Sequence, residues 1–264
     1  MVTIRQHTLP EFRAYLQGYR DRGALLYATF LHHCWQPAAP QYHGLSTIEG
    51  IRYSQMHRDP PMNDIACGAY TAPDSTVFNA RPPTSNNCAC QAPPKGVDFA
   101  DLPAELRSLI SASGENWRSW PNKYGFGVET IGCFDWDHPG TPKSEDPATS
   151  VAMRTSLDVL AMVHELWAIP VEHCFFHRDV SPKTCPGERV TKAWVHSELR
   201  RRLAVPEKPF RVDLLGTYLP PDAAELHGGE TWVRLHDVAE VAGWELFWRP
   251  DLNKVFVKPK EATL

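Results

Sequence analysis

The chain predicts an α/β fold, a central mixed β-sheet flanked by helices, followed by a small α+β domain. Three observations carry this. Short apolar runs such as 24–33 and 126–134 alternate with longer segments of helical period, the mark of a layered domain. The segment 148–167 places Val151, Leu157, Leu160, Val163 and Leu166 on one face, as a helix covering a sheet requires. After Val205-Pro206-Glu207-Lys208-Pro209 the pattern changes to short alternating stretches, which sets a boundary between a domain over 1–205 and a smaller one over 210–264.

Residues 9–22 read as a helix, with Pro10 at its start and Phe12, Tyr15, Leu16 and Tyr19 at helical spacing. The apolar run 24–33 is a buried strand. Residues 37–43 are loop, and Ser46-Thr47-Ile48-Glu49 opens a helix, with Ser46 as cap, Glu49 closing a capping box and Asp59-Pro60-Pro61 as the stop. Residues 65–70 and 76–78 are strands joined at Pro73-Asp74-Ser75. Residues 82–122 are the least regular part, rich in Pro, Asn and Cys, with one helical patch at 102–110. Trp117 and Trp120 at their end either form exposed platforms for a sugar or peptide or pack as a lid on the core. A strand over 126–134 and a polar loop over 135–146 lead into the helix of 148–167, on which His164 is a structural or surface histidine. Residues 171–176 alternate as a strand and 188–203 read as a helix.

Between those last two elements lies the densest chemistry in the chain, His177-Arg178-Asp179-Val180-Ser181-Pro182-Lys183-Thr184-Cys185-Pro186-Gly187. Pro182 and Pro186-Gly187 make the connection a rigid turn. It folds a strand-end histidine toward a cysteine, and such a pair suits a borderline-soft ion such as zinc. A third ligand would come from Leu31-His32-His33-Cys34, at the end of another strand. Adjacent strand residues point to opposite faces, so only one of His32 and His33 can face the ion. Three protein ligands with a fourth position open are the pattern of a catalytic zinc.

Composition excludes several classes. The net charge of −4 and the lack of a basic run speak against nucleic acid, and Arg200-Arg201-Arg202 reads as a solvated helix end. No apolar stretch has membrane-spanning length. Met1 to His7 lack the apolar core of a signal peptide, so the expectation is synthesis in the cytoplasm without a general export signal. Seven cysteines without a framework spacing read as mostly reduced, and Cys88-Ala89-Cys90 reads as loop.

These residues resemble the zinc-dependent N-acetylmuramoyl-L-alanine amidases, the family of the T7-lysozyme-like amidases and the peptidoglycan recognition proteins. His177, Lys183, Cys185, Pro186 and Gly187 match its last motif, Phe30-Leu31-His32-His33-Cys34 its first, and Gly125 to Gly132 a middle one. Asp64 to Val77 is similar to the region after the family's first helix, and the resemblance spans about residues 24–203. The family crosses 82–122 more briefly, so that stretch is an insertion or enlarged loop.

The resemblance implies a zinc ion held by His32, His177 and Cys185, with the doubled-His motif favouring His32 over His33. It implies hydrolysis of the bond between N-acetylmuramic acid and L-alanine in peptidoglycan, by an endolysin released through a membrane lesion or an autolysin exported by another route. Glu129 would take the proton from water and pass it to the leaving nitrogen. Lys183 would stabilise the oxyanion. Taken without the motif, Lys183 is a surface loop lysine and Glu129 an ordinary strand-end acid.

One departure is Cys67, where many T7-like members carry a tyrosine. A thiol is a weak donor, so Glu129 serves as base, or Tyr70 or Tyr124 reaches in, or activity is impaired. The rival reading is a non-catalytic peptidoglycan-binding protein on the same fold. A zinc deaminase is disfavoured because the paired cysteines after a proline are missing.

In the second domain, 210–214 alternates as a strand and Trp232 to Leu235 precede a short helix at 237–242. Glu245 to Trp248 and Lys254 to Val257 form a hairpin around Pro250 to Asn253. Gly229 to Trp248 weakly resembles the small domains similar to the N-terminal domain of copper amine oxidases, implying a wall-binding or spacing module. Stabilisation of the first domain or dimerisation is the plainer alternative.

Overall fold

A computed structural model describes residues 2–58, 61–84, 98–137 and 142–204, and beyond them the backbone of six short strands between 213 and 259. The chain divides into two compact units, Met1–Leu203 and Ala204–Leu264.

The first unit is a six-stranded mixed sheet with helices on both faces. In chain order the strands are β1 (Arg5–His7), β2 (Ala28–His33), β3 (Ala69–Thr71), β4 (Val77–Asn79), β5 (Gly125–Thr130) and β6 (Cys174–Phe176), and they lie in the order β1-β4-β3-β5-β2-β6. β3, β5, β2 and β6 run parallel, so their carboxyl ends share one edge. β4 and β1 add antiparallel strands at the other margin.

The helices are α1 (Leu9–Asp21), α2 (Leu45–His57), α3 (Ala104–Ser113), the short α4 (Trp120–Tyr124), α5 (Val151–Trp167) and α6 (Lys192–Leu203). Alternation along β2 sorts them. Leu31, with its neighbours Val128 and Phe176, packs in one cluster with Phe12 and Leu16 of α1, Leu157 and Leu160 of α5 and Val195 and Leu199 of α6. Ala28, Phe30 and Phe175 face the opposite way, into a cluster with Leu106, Ile110 and Trp120. Ile48 of α2 covers Tyr70 and Phe78 on that same face.

Several boundaries differ from the sequence expectation, each for a local reason. α1 starts on a capping box that the spacing analysis does not reveal: Thr8 Oγ1 accepts from the Glu11 N–H and Glu11 returns a bond to the Thr8 N–H. The box expected at Ser46 and Glu49 does not form. Gly44 (φ 69°) begins α2 earlier, Ser46 lies inside the first turn and donates to the His43 carbonyl at 2.7 Å, and Thr47 Oγ1 takes the His43 N–H. The strand expected from Ile65 is confined to Ala69–Thr71, because Cys67 takes a left-handed backbone (φ 58°) that a strand cannot continue through.

Residues 171–173 form one 3₁₀ turn, which leaves β6 only three residues long. The helix expected from Glu188 begins at Lys192. Its first residues are held elsewhere: the Glu188 N–H bonds to Asp135 Oδ1, the Arg189 N–H to the Phe134 carbonyl, and the Val190 carbonyl accepts from Arg178. β1, a short polar strand on the sheet's edge, lacks the apolar pattern that would reveal it.

His164 is buried beneath β2 and is structural. Its Nε2 lies 2.8 Å from Thr29 Oγ1 and its Nδ1 2.9 Å from the Ile169 carbonyl. Trp120 is buried with Phe30 and Leu106, and Trp117 packs against Phe99, so this part of the insertion covers the core. Residues 85–97, including Cys88 and Cys90, lie outside the described residues.

In the second unit Trp244–Arg249 and Lys254–Pro259 pair antiparallel, with Leu246 opposite Val257, as the expected hairpin requires. Ala224–His227 pairs with Glu230–Val233, and Asp213–Leu214 with Thr217–Tyr218. The helix expected over 237–242 lies outside the described residues.

Candidate metal centre and active site

The parallel register brings the chemistry together. His32 is the partner of Glu129 on β5, and Glu129 is the partner of Tyr70 on β3. Register partners share a face, so His32 and Glu129 stand side by side at the carboxyl edge, on the face that carries Phe30. His177 comes two residues after Phe175, just beyond the end of β6.

The loop after β6 then returns Cys185 to the same place. His32, His177 and Cys185 are buried, and one donor atom from each lies within 4.8 Å of the others. The His32 and His177 rings are 4.7 Å apart, and Cys185 Sγ lies 3.9 Å from His32 Nδ1. Metal–nitrogen and metal–sulfur bonds of about 2.0–2.3 Å can be made to one ion by donors at this separation.

Arg178 and Asp179 hold the loop in place. The Arg178 guanidinium donates to the carbonyls of Thr184, Gly187 and Val190 and lies over the Phe176 ring. The Arg178 N–H bonds to the Cys185 carbonyl at 2.9 Å. Asp179 accepts from the Phe176 N–H and from Lys192. Gly187 is required where it stands. Its φ is +112°, and a Cβ there would lie 2.5 Å from the Phe134 backbone carbon.

His33 takes a different place. It lines the same cavity, but its Nδ1 accepts from the Phe134 N–H at 3.3 Å and its Nε2 lies 3.8 Å from Asp135. Its backbone N–H points at Cys185 Sγ, 3.4 Å away, a contact that favours a thiolate. Burial lowers the pKa of His33 to about 4 and that of His177 to about 3, the latter helped by the charge of Lys183. Both rings are therefore neutral at physiological pH, the form in which imidazole binds a metal.

Glu129 is half-buried beside this group. Burial raises its pKa to about 7, against the opposing effects of a bond from Cys67 and the charge of Lys183. Cys67 Sγ donates to Glu129 Oε2 at 3.3 Å. The Cys34 thiol is pushed well above its ordinary range by burial and by the neighbouring Glu129 and Cys185. A second donor group, His32, Cys67 and Glu129, overlaps the first. Lys183 is exposed on the cavity wall.

Neither tyrosine weighed as a substitute for Cys67 enters the cleft. Tyr70 is fully buried, with Gln55 donating to its hydroxyl. Tyr124 lies at the opposite end of β5 and donates to Glu115.

His32, His177, Cys185, Glu129 and Lys183 line a cavity of about 580 Å³ that also carries Arg58 and Asp135. Sequence reasoning did not single out Arg178, Asp135 or Cys34. The signal for Arg178 was present, an arginine beside a candidate ligand in a loop whose carbonyls have no strand partner. Asp135 and Cys34 carry no such signal.

No protein-family model matches the chain, and no curated protein does. Among the solved structures similar to it are the following two. One is an endolysin N-acetylmuramoyl-L-alanine amidase, LysCS, from Clostridium intestinale, at 17% identity over 67% of this chain and 86% of that one, with a TM-score of 0.40. The other is a point mutant of PlyL, at 13% identity over 68% and 85%, with a TM-score of 0.37.

Proposed function

We propose that the chain is a zinc-dependent amide hydrolase that cleaves the bond between N-acetylmuramic acid and L-alanine in peptidoglycan. One observation carries the reading: three buried metal-type donors, His32, His177 and Cys185, converge beside a carboxyl group whose pKa lies near neutrality. The motif resemblance supports the choice of amide and of peptidoglycan. Zinc held there would supply Lewis acidity and an activated water at neutral pH.

The chain's own residues supply the rest. Glu129, titrating at about 7, is ionised enough to take a proton from the attacking water and protonated enough to return it to the leaving nitrogen. As the C–N bond breaks, the amine leaves with that proton. Lys183 places a positive charge on the same cavity wall, where it offsets charge developing on the carbonyl oxygen. Cys67 holds one oxygen of Glu129, which leaves the carboxylate oriented without a tyrosine.

The test is elemental analysis of the purified chain alongside digestion of purified peptidoglycan. One zinc per chain, with new L-alanine amino termini that vanish on chelation and return with zinc, is the expected result. One zinc with binding but no cleavage would move the chain to the non-catalytic peptidoglycan-binding reading and point at Cys67 as the cause. Absence of zinc would remove both the metal and the mechanism.

A further inference from the structure

Glu129 is the centre of a second convergence of donor atoms. Cys67 Sγ donates to its Oε2 at 3.3 Å, and the Cys34 thiol donates to the same carboxyl group. The two thiols arrive from different strands. β5 lies between β3 and β2; Cys67 stands in the segment entering β3 and Cys34 in the one leaving β2. One donor atom each from His32, Cys67 and Glu129 lie within 4.8 Å of one another. Proton transfer by Glu129 has no use for a second thiol.

The backbone fixes both cysteines. The Cys34 N–H bonds to the Thr130 carbonyl at 2.9 Å. The Cys67 carbonyl accepts from the Arg81 N–H at 3.0 Å, and the next residue, Gly68, donates to the Gly127 carbonyl at 2.8 Å. Cys67 is left-handed there (φ 58°), a conformation that a residue with a side chain keeps only where its surroundings impose it.

Hydrogen bonding alone is a poor use of this arrangement, because S–H is a weak donor. As metal ligands the same atoms are strong. Bonds of about 2.3 Å to sulfur and about 2.1 Å to oxygen set the two atoms roughly 3.6 Å apart around a tetrahedral ion, and Cys67 Sγ and Glu129 Oε2 are already 3.3 Å apart. An ion has a way in, since Cys34 and Glu129 line both the metal cleft and a neighbouring cavity of about 600 Å³ along α2.

We propose that Cys34, Cys67 and Glu129 form a second metal site, which takes an additional zinc or another thiophilic divalent ion and, when filled, withdraws Glu129 from proton transfer. Binding displaces the two thiol protons to solvent, and the carboxylate is the third ligand. Two thiolates and a carboxylate exceed the charge of the ion by one unit, which the nearby charge of Lys183 offsets. His32 belongs to both donor groups, so it stays with the first ion and sets the second beside it. The site stands on its donor geometry; only the withdrawal of Glu129 rests on the amidase reading.

The experiment uses the full chain, kept reduced by a phosphine and dialysed against rising free zinc. Elemental analysis should reach two zinc per chain, the second filling after the first. In the wild type the second equivalent should slow alkylation of Cys34 by iodoacetamide roughly tenfold or more, read by peptide mapping, because a metal-bound thiolate is masked. Cobalt(II) added to the one-zinc chain should raise thiolate-to-cobalt charge-transfer absorption. Cys34→Ser and Cys67→Ser should each weaken that absorption and stop at one zinc, and the zinc they keep reports an intact fold. The second zinc should lower peptidoglycan turnover by about 10²-fold in the wild type but not in Cys34→Ser, each compared with its own one-zinc form.

Saturation at one zinc, or Cys34 alkylated equally fast with and without excess zinc, would overturn the site. Two zinc ions in a chain that releases no L-alanine ends would keep the site and remove the amidase reading. Release that continues undiminished with the second ion bound would overturn the withdrawal of Glu129.

Discussion

His164 and His177 lie on opposite faces of the same sheet, both buried and both held neutral by burial, with pKa values of about 4 and 3. They differ in what their nitrogens meet. His164 has a partner at each, Thr29 Oγ1 and the Ile169 carbonyl, and so it stitches α5 to β2. His177 meets lone-pair donors of the same kind as itself, His32 and Cys185. Two imidazoles and a thiol gathered within 4.8 Å in a buried place are a donor set that one cation could bind. Burial and a depressed pKa thus do not distinguish a structural histidine from a ligand; the identity of the neighbours does.

That contrast breaks most readily at the ligands. His177→Ala or Cys185→Ser should lower bound zinc below one equivalent and abolish turnover, while His164→Ala should keep one zinc; full metal retention in Cys185→Ser would take the thiol out of the site. Glu129→Gln comes next. It should keep the metal and lose turnover by about 10²–10⁴-fold. Because the native carboxyl titrates at about 7, wild-type activity should climb as the pH rises through neutrality, and a rate independent of pH across that range would return the proton transfer to another group. Lys183→Ala should cost less, about 10²-fold in kcat with zinc unchanged. A rise in KM alone would make it a binding residue instead.

The smallest effect on activity should come from His164→Ala, whose cost is stability. It leaves a cavity and removes a partner from Thr29 and from the Ile169 carbonyl, together about 2–4 kcal/mol. Thermal unfolding measures it, and an unchanged Tm would mean that the site collapses around the loss. The buried histidines also set a direction for pH. His33, His164 and His177 have folded-state pKa values below the ordinary 6.5, so the folded chain binds fewer protons than the unfolded one as the pH falls below that value. Their contribution to stability should be fully present above about pH 6.5 and decline toward about pH 4. Saturating zinc should blunt the part due to His177 but not that due to His164. A decline that zinc abolishes entirely would place the whole pH response at the metal centre.

Much of the fold was legible because it depends on local pattern. Helical spacing located α1 and α5 to within a few residues, and the apolar runs located β2 and β5. Failures clustered where a boundary depends on a distant partner. The first turn expected of α6 is held instead by Asp135 and Phe134, from a distant part of the chain, and β1 exists because β4 pairs with it. The cap of α2 was misplaced because Gly44, with its left-handed backbone, carries out what Ser46 was expected to do.

The site divides in the same way. The sequence by itself determined its ingredients: two strand-end histidines, a loop cysteine behind a Pro-Gly turn, and a strand-end glutamate, each recognisable by residue type and local spacing. Only the tertiary structure decided that His32 rather than His33 joins the donor group, because strand parity and the register of β2 against β5 and β6 fix which side chains share a face. The structure also set the pKa of Glu129 at about 7, since the burial that raises it and the Cys67 bond and Lys183 charge that oppose the rise come from segments far apart in the chain. Residue chemistry is written locally, whereas electrostatic environment is a sum over neighbours that the chain acquires only when it folds.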